Sequence, residues 1–450
     1  MIKRFFVIAL VAMVAVHCNR KPEAIKTHLN VAVSVSDSLD NSGNYSGFEF
    51  LLFQKDDPAA EADTLLFEVT DSTGTFEAIV EPDKAGAYPM QISRNGRILA
   101  SVTMLLADKD TITFKTEFPD IQKNLVMDSR EIRALKVYDR VDQNFKRTMV
   151  YAANGEIADS LLPGEFLKWS DLYWQVYEDK SGTFASKFAL ESSMELLNRV
   201  DRKQMFTKLN TAFGEEMAFG LAITLGKDYV ADAKGLEATV AYLDSVRSIT
   251  ENEDIEKAID QSIIKLYYDS ARVDKARELL AEFDEEYNED SEPTFWYKNM
   301  RFDLKNLAPG MKLPDYEFIS TEGDTINNAN MLGSPYVLEF TIMANKLYQQ
   351  QYDKATVIYQ MYANEGLKYF TIPFDQSVNT IIGFFEERDR YWSIAEPPSL
   401  NKKQLADEFN IQFYPTRILI DAEGKIVRKY VGEEFDDIIP DITQTLTKTN

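Results

Sequence analysis

Cysteine is all but missing from this chain: one residue, Cys18, occurs among 450. A single thiol excludes an internal disulfide framework, a cysteine-based zinc site and a paired redox centre. Histidine is nearly as scarce, with His17 and His28 the only two. A Ser-His-Asp relay or a His-based metal site therefore has almost nothing to be built from, and no cofactor or metal is expected. Positive charge is in deficit as well: 49 Lys and Arg stand against 73 Asp and Glu, giving a formal net charge of -24. Phosphate backbones are held by clustered cations, so nucleic acid is excluded as a partner. The apolar run from Phe5 to Val16 falls short of the roughly 20 residues that a spanning helix needs.

What is present suits a folded chain of about three domains at ~150 residues each. Lys3 and Arg4 precede the run Phe5–Val16, and Cys18 follows it, the arrangement of a secretory signal over 1–18. The stretch AVHC resembles the lipobox of bacterial lipoproteins, although His17 stands where a small residue is usual. That resemblance implies export, lipidation of Cys18 and attachment to a membrane on the periplasmic side of the envelope. An ordinary cleaved signal with a chance cysteine is the alternative.

Residues 26–122 alternate with period two, as in Leu29, Val31, Val33, Val35 and again Phe48, Phe50, Leu52, which predicts antiparallel strands. Asn95-Gly96 accepts the positive φ of a two-residue hairpin, and DSTGTF at 71–76 reads as a second tight turn. The zone is similar to the small β-sandwich that precedes thioredoxin-like domains in envelope lipoproteins. Over 129–305 the period becomes helical. Ile255, Ile259, Ile263 and Leu266 share one face, and Val273, Ala276, Leu280, Phe283 and Tyr287 share another, predicting a helical hairpin. LYYDSARVDKARELLAEF resembles one tetratricopeptide unit, with Ala271 where a turn glycine is usual. No repeat array surrounds it. GLAITLGKD lacks the spacing and the hydroxyl of a phosphate loop and reads as helix. Trp169 and Trp174 fit core packing better than a ligand groove.

Residues 307–450 follow a recognisable order. YVLEF reads as a strand buried on both faces, while GMKLPDYEFISTEGDTI looks like the opening strand pair, NKLYQQQYDKATVIYQMY like the long helix and FYPTRILIDAEGKIVRKYVG like the closing hairpin of a known family. This order resembles the TlpA and ResA type of thiol-disulfide oxidoreductase, related to the AhpC/TSA peroxidases. The expected architecture is thus α+β multidomain: an N-terminal antiparallel β-sandwich, an α-helical middle region and a C-terminal α/β thioredoxin-like domain.

The resemblance implies a Cys-x-x-Cys pair at the head of the long helix. Alignment on Phe340 puts Asn345 and Tyr348 there instead. Asn is a strong helix N-cap, and Tyr348 begins an apolar stripe with Tyr352, Ala355 and Tyr359. Neither side chain can attack a disulfide, so a degenerate, non-enzymatic site is expected. The family also uses a cis proline, here Pro415, beside which the residue before it pairs with an extended chain. The expected binding residues are accordingly Tyr414, Pro415, Thr416 and Trp392, and the expected partner is an envelope protein or an extended polypeptide. Two rival readings stay open: a thiol-disulfide oxidoreductase acting through an unlipidated Cys18, and a carboxylate-based hydrolase drawing on the many acidic residues.

Overall fold

The computed structural model describes residues 25–36, 39, 44–54, 63–213, 216–287, 293–386, 388–397 and 400–449. Cys18 and the apolar run before it lie outside the described residues. The chain divides into two compact units, residues 1–217 and 218–450.

The first unit begins with eight strands: β1 (Thr27–Val35), β2 (Phe48–Gln54), β3 (Asp63–Val69), β4 (Thr75–Val80), β5 (Gly86–Arg94), β6 (Arg97–Leu106), β7 (Thr111–Phe118) and β8 (Val126–Asp128). They form two four-stranded sheets, ordered β4-β1-β7-β8 and β3-β2-β5-β6. The alternating side chains of β1 and of β2 fall in one buried cluster, where Leu29, Phe48, Phe50 and Leu52 are fully buried. The purely antiparallel expectation needs correction, because β1 and β7 pair in parallel. Period-two patterning reports which face a residue occupies and carries no information on the direction of a neighbouring strand. Between β1 and β7 the chain twice visits the other sheet, so β7 arrives on the free edge of β1 from the same end.

Asn95 and Gly96 both take positive φ, 51° and 71°, in the β5–β6 hairpin. The DSTGTF turn is organised by Asp71, whose Oδ1 accepts from the backbone N–H groups of Thr73 and Thr75, both at 2.9 Å. Gly74, at φ 80°, passes so close to β1 that a Cβ there would lie 2.1 Å from the Val33 carbonyl oxygen. A side chain would meet rigid backbone while also occupying a disfavoured φ. Gly74→Ala is expected to cost about 2 kcal/mol or more, read as a lowered urea midpoint; an unchanged midpoint would contradict this account of the turn.

Helices α1 (Arg130–Ala153), α2 (Leu162–Asp179), α3 (Phe184–Val200) and α4 (Arg202–Thr211) follow. Asp110 receives the Arg130 N–H at 3.1 Å at the start of α1, and the buried Glu131 receives the Phe184 N–H at 2.9 Å at the start of α3. Carboxylates at helix starts satisfy free amides and oppose the positive end of the dipole. Trp169 is buried in this helical packing.

Helices α5 (Glu216–Leu221), α6 (Lys227–Lys234) and α7 (Leu236–Arg247) lead to the hairpin α8 (Glu253–Asp269) and α9 (Val273–Tyr287), and then to α10 (Phe295–Asn306). GLAITLGKD is helical, with a π turn at Ala222–Gly226. Ile264, Tyr268, Ala276, Leu280, Phe283, Tyr297 and Met300 make one core between α8, α9 and α10. Ala271 turns the hairpin at φ 57°. That conformation costs a residue with a Cβ roughly 1–2 kcal/mol, so Ala271→Gly is expected to raise the thermal midpoint by a few degrees. A midpoint lowered by the change would show that the penalty is relieved in some other way.

The closing part comprises β9 (Glu317–Ile319), β10 (Thr325–Asn327), α11 (Asn328–Met331), β11 (Tyr336–Thr341), α12 (Lys346–Tyr362), β12 (Lys368–Pro373), α13 (Val378–Phe385), β13 (Ser393–Ile394), α14 (Lys402–Glu408), β14 (Thr416–Ile420), β15 (Ile426–Val431) and α15 (Ile438–Thr449). A five-stranded sheet runs β13-β12-β11-β14-β15, with β11, β12 and β13 parallel and β14 and β15 antiparallel to their neighbours. Every residue of β11 is buried, because both faces are covered. Val337, Leu419 and Tyr430 face a core shared with α12 and α15. Tyr336, Leu338, Phe340, Ile418 and Ile420 face the other core, which takes in Leu307 and Phe409.

The compact units do not follow the compositional zones. The helical zone is cut at 217/218, and α8–α10 belong with the five-stranded sheet. Polar contacts show why: Lys429 of β15 reaches Asp303 of α10 at 2.9 Å, Arg428 reaches Asp269 of α8 at 3.2 Å, and the Tyr268 hydroxyl donates to the Leu307 carbonyl at 3.0 Å. Periodicity marks a helix; it says nothing of which sheet supplies the counter-charge.

Candidate functional site

Three segments meet at the head of α12. The first is the loop that leaves β11, residues 342–345. Asn345 caps α12: its Oδ1 accepts from the Tyr348 N–H at 3.0 Å, which satisfies one of the free amides of the first turn. The second is the segment before β14, where the Tyr414–Pro415 peptide is cis. The third follows β12, where Asp375 accepts the Met343 N–H at 2.9 Å and the Phe374 N–H donates to the Thr341 carbonyl at 2.7 Å. Gln349 closes the loop from the helix side by donating to the Met343 carbonyl at 3.0 Å. The loop is therefore fixed from both sides. Burial pushes the Asp375 carboxyl above its usual range, and backbone donors including Met343 oppose that rise.

Asn345 also joins the first segment to the second. Its Nδ2 donates to the Tyr414 carbonyl at 3.2 Å. The orientation of the amide follows from its partners, since Tyr348 offers only an N–H and Tyr414 only an oxygen. Among the described residues, the Tyr414 N–H itself donates to no backbone acceptor. Pro415 is buried, Tyr414 is half-buried, and Phe413 is 56% exposed. The Tyr414 ring packs on Phe374 with centroids 5.3 Å apart. Phe413 meets Phe295 of α10 edge-on at 6.1 Å, and Phe295 is 57% exposed.

The side chains at the other sequence-predicted positions are buried. Tyr348 is fully buried among the residues of the α12 core, and burial pushes its phenol well above the usual range. Thr416 is buried, its hydroxyl donating to the Phe413 carbonyl at 2.7 Å; it shapes the turn and offers nothing to a ligand. Trp392 requires a correction. It lies in the α12–α15 core, on the opposite face of the sheet from the core that Tyr414 joins. Its ring packs 4.3 Å from Tyr369, and its Nε1 donates to Thr371 at 2.8 Å. A large ring whose one polar atom finds a buried partner has no cause to stay at the surface.

Beneath the site lies a polar group that sequence reasoning missed. Glu339 of β11 and Arg417 of β14 are directly opposed in register, with side chains 0% and 1% exposed. Arg417 Nε donates to Glu339 at 2.6 Å and to the Tyr369 hydroxyl at 3.0 Å, while Nη1 donates to Gln351 of α12 at 2.7 Å. Tyr369 and Thr371 donate to the two Glu339 oxygens at 2.7 and 2.8 Å. The guanidinium stands 3.8 Å over the Phe435 ring. Both Glu339 oxygens and two of the three guanidinium nitrogens are thus satisfied, with Nη2 left unpartnered, and these contacts let a charge pair persist in the middle of a sheet. The signal was available: one charge of each sign interrupts the apolar runs YVLEF and TRILI, and each needs a counter-charge.

Chemically, the head of α12 presents an amide and a buried phenol, and residues 307–450 contain no cysteine. Among the described residues no group of three or more His, Cys, Asp and Glu side chains is placed to hold a metal ion. No described helix is long and apolar enough to cross a membrane.

No protein-family model matches the chain. Over about a third of its length it is similar to thiol-disulfide oxidoreductase ResA. It is 21% identical to the Bacillus cereus protein over 152 residues, which is 34% of this chain and 86% of that protein. It is 20% identical to the Bacillus anthracis protein over the same shares. Among solved structures, the thioredoxin domain of a thiol-disulfide oxidoreductase from Bacteroides vulgatus matches at 20% identity and a TM-score of 0.29, covering 31% of this chain and 99% of that one. A thioredoxin-family thiol:disulfide interchange protein from Chlorobium tepidum matches at 16% identity and a TM-score of 0.27, covering 31% and 97%.

Proposed function

We propose that this protein is a redox-silent, thioredoxin-like binding module of the bacterial envelope, exported and lipid-anchored through Cys18, that holds an extended polypeptide beside Pro415. One observation carries the reading: the head of α12 is intact as structure and empty of thiol, with Asn345 capping the helix where a nucleophile would stand. Disulfide exchange needs an attacking thiolate, for which neither an amide nor a phenol substitutes. Strand addition needs only main-chain groups and a place for side chains. The Tyr414 N–H supplies the first, and the exposed Phe413 and Phe295 rings supply the second. The similarity to ResA supports the rival reading, an oxidoreductase, only if Cys18 keeps a free thiol.

The purified mature protein is expected to leave insulin disulfides intact in the presence of dithiothreitol beyond the uncatalysed rate. Catalysis at the level of a reductase overturns the proposal. Mass spectrometry of the mature N-terminus separates the two readings, since an acylated Cys18 removes the only thiol in the chain.

A further inference from the structure

Asn345 does more than cap a helix, because its second polar atom is spent on the main chain of the facing Tyr414–Pro415 segment. We propose that Asn345 is an internal stand-in for an incoming strand: by donating to the Tyr414 carbonyl it occupies the acceptor that strand addition would use, and so sets how tightly the surface beside Tyr414 and Phe413, the proposed peptide groove, holds an extended polypeptide. This inference rests on the binding reading above and concerns the same site.

An extended chain that pairs with one residue of another chain exchanges two main-chain hydrogen bonds, one to its N–H and one from its C=O. At Tyr414 the N–H meets no backbone acceptor among the described residues, whereas the C=O already accepts from Asn345 Nδ2 at 3.2 Å. An incoming N–H must displace that amide or share the oxygen with it. Either way it exchanges one hydrogen bond for another and gains little. The Asn345 side chain cannot readily swing aside, because its other end holds the Tyr348 N–H and the loop behind it is pinned by Asp375 and Gln349. The groove thus keeps one free main-chain group of the two, which suits weak and reversible holding of polypeptide over tight binding.

The test separates the two functions of Asn345. Asn345→Ser retains an oxygen that can cap α12 but is too short to reach Tyr414 as well; Asn345→Ala removes both contacts. Binding is measured by fluorescence anisotropy on the full-length mature protein, with fluorescein-labelled, reduced and carboxymethylated α-lactalbumin as the extended probe. Releasing one net hydrogen bond predicts about 2- to 12-fold tighter binding for Asn345→Ser. Asn345→Ala is expected to show a similar gain together with a lower thermal midpoint. Adding Phe413→Asp should cancel the gain, since the probe would lose its apolar neighbour beside Tyr414. If the parent protein binds and folded Asn345→Ser binds equally or more weakly, the stand-in proposal is wrong and the groove reading survives. If neither binds the probe although both are folded by circular dichroism, the groove reading fails and takes this inference with it.

Discussion

Arg417→Met is expected to cost about 3–5 kcal/mol of unfolding free energy, the penalty for leaving a buried charge without its partner. The change removes little volume but strands Glu339 at 0% exposure with a charge and no counter-ion. Tyr369 and Thr371 would still donate to the carboxylate, but neutral donors do not offset the desolvation of a full charge. The double variant Glu339→Gln with Arg417→Met should recover most of the loss, because a neutral amide can keep the Tyr369 and Thr371 contacts. Urea titrations of the parent, the two single variants and the double variant give the coupling directly. A loss under about 1 kcal/mol for Arg417→Met would place the pair among ordinary surface charges and contradict its assigned role.

Asn345→Cys, made with Cys18 changed to Ser so that one thiol is present, is expected to create a thiol with a pKa below the ordinary value of about 8.5. The position already stabilises a hydrogen-bond acceptor through the Tyr348 N–H, and a thiolate there would also gain from the dipole of the helix Lys346–Tyr362. Alkylation by iodoacetamide followed against pH reports the thiolate directly. A shift of roughly one unit raises the thiolate fraction at pH 7 about 8-fold and, because a less basic thiolate is a weaker nucleophile, the rate about 3-fold. Insulin reduction should still be absent, since the second position is Tyr348, which lies fully buried in the α12 core. A titration midpoint at or above about 8.5 would show that this helix start no longer favours an anion.

Much of the closing fold is legible because its strands and helices are strongly patterned. YVLEF reads as a strand covered on both faces, and the structure buries all of Tyr336–Thr341. The break before Lys346 is legible from Asn345 as a cap residue, since capping depends on local backbone chemistry alone. Trp392 shows the opposite case. Its size and position suggest a groove, but its place was decided by Thr371, a partner 21 residues earlier in the chain that no local pattern reveals. The same holds for the parallel pairing of Thr27–Val35 with Thr111–Phe118, for the Glu339–Arg417 pair and for the approach of Phe295 to Phe413. Each joins residues far apart in the chain, where periodicity is silent.

The attachment of helices α8–α10 to the final sheet decides where the chain can be cut. Lys429 is 4% exposed, and its ammonium is shared between Asp303 and the carbonyls of Phe409 and Asn410. A fragment beginning at Leu307 would discard Asp303 and Asp269 together, leaving Lys429 without a counter-ion inside its own fold while Arg428 keeps only Asp437 and Asp441. Such a truncation should be insoluble or molten, whereas one beginning at Ala218 keeps its electrical balance. The sheet does not neutralise Lys429 by itself, so α8–α10 belong to the smallest piece of the chain that is electrically closed.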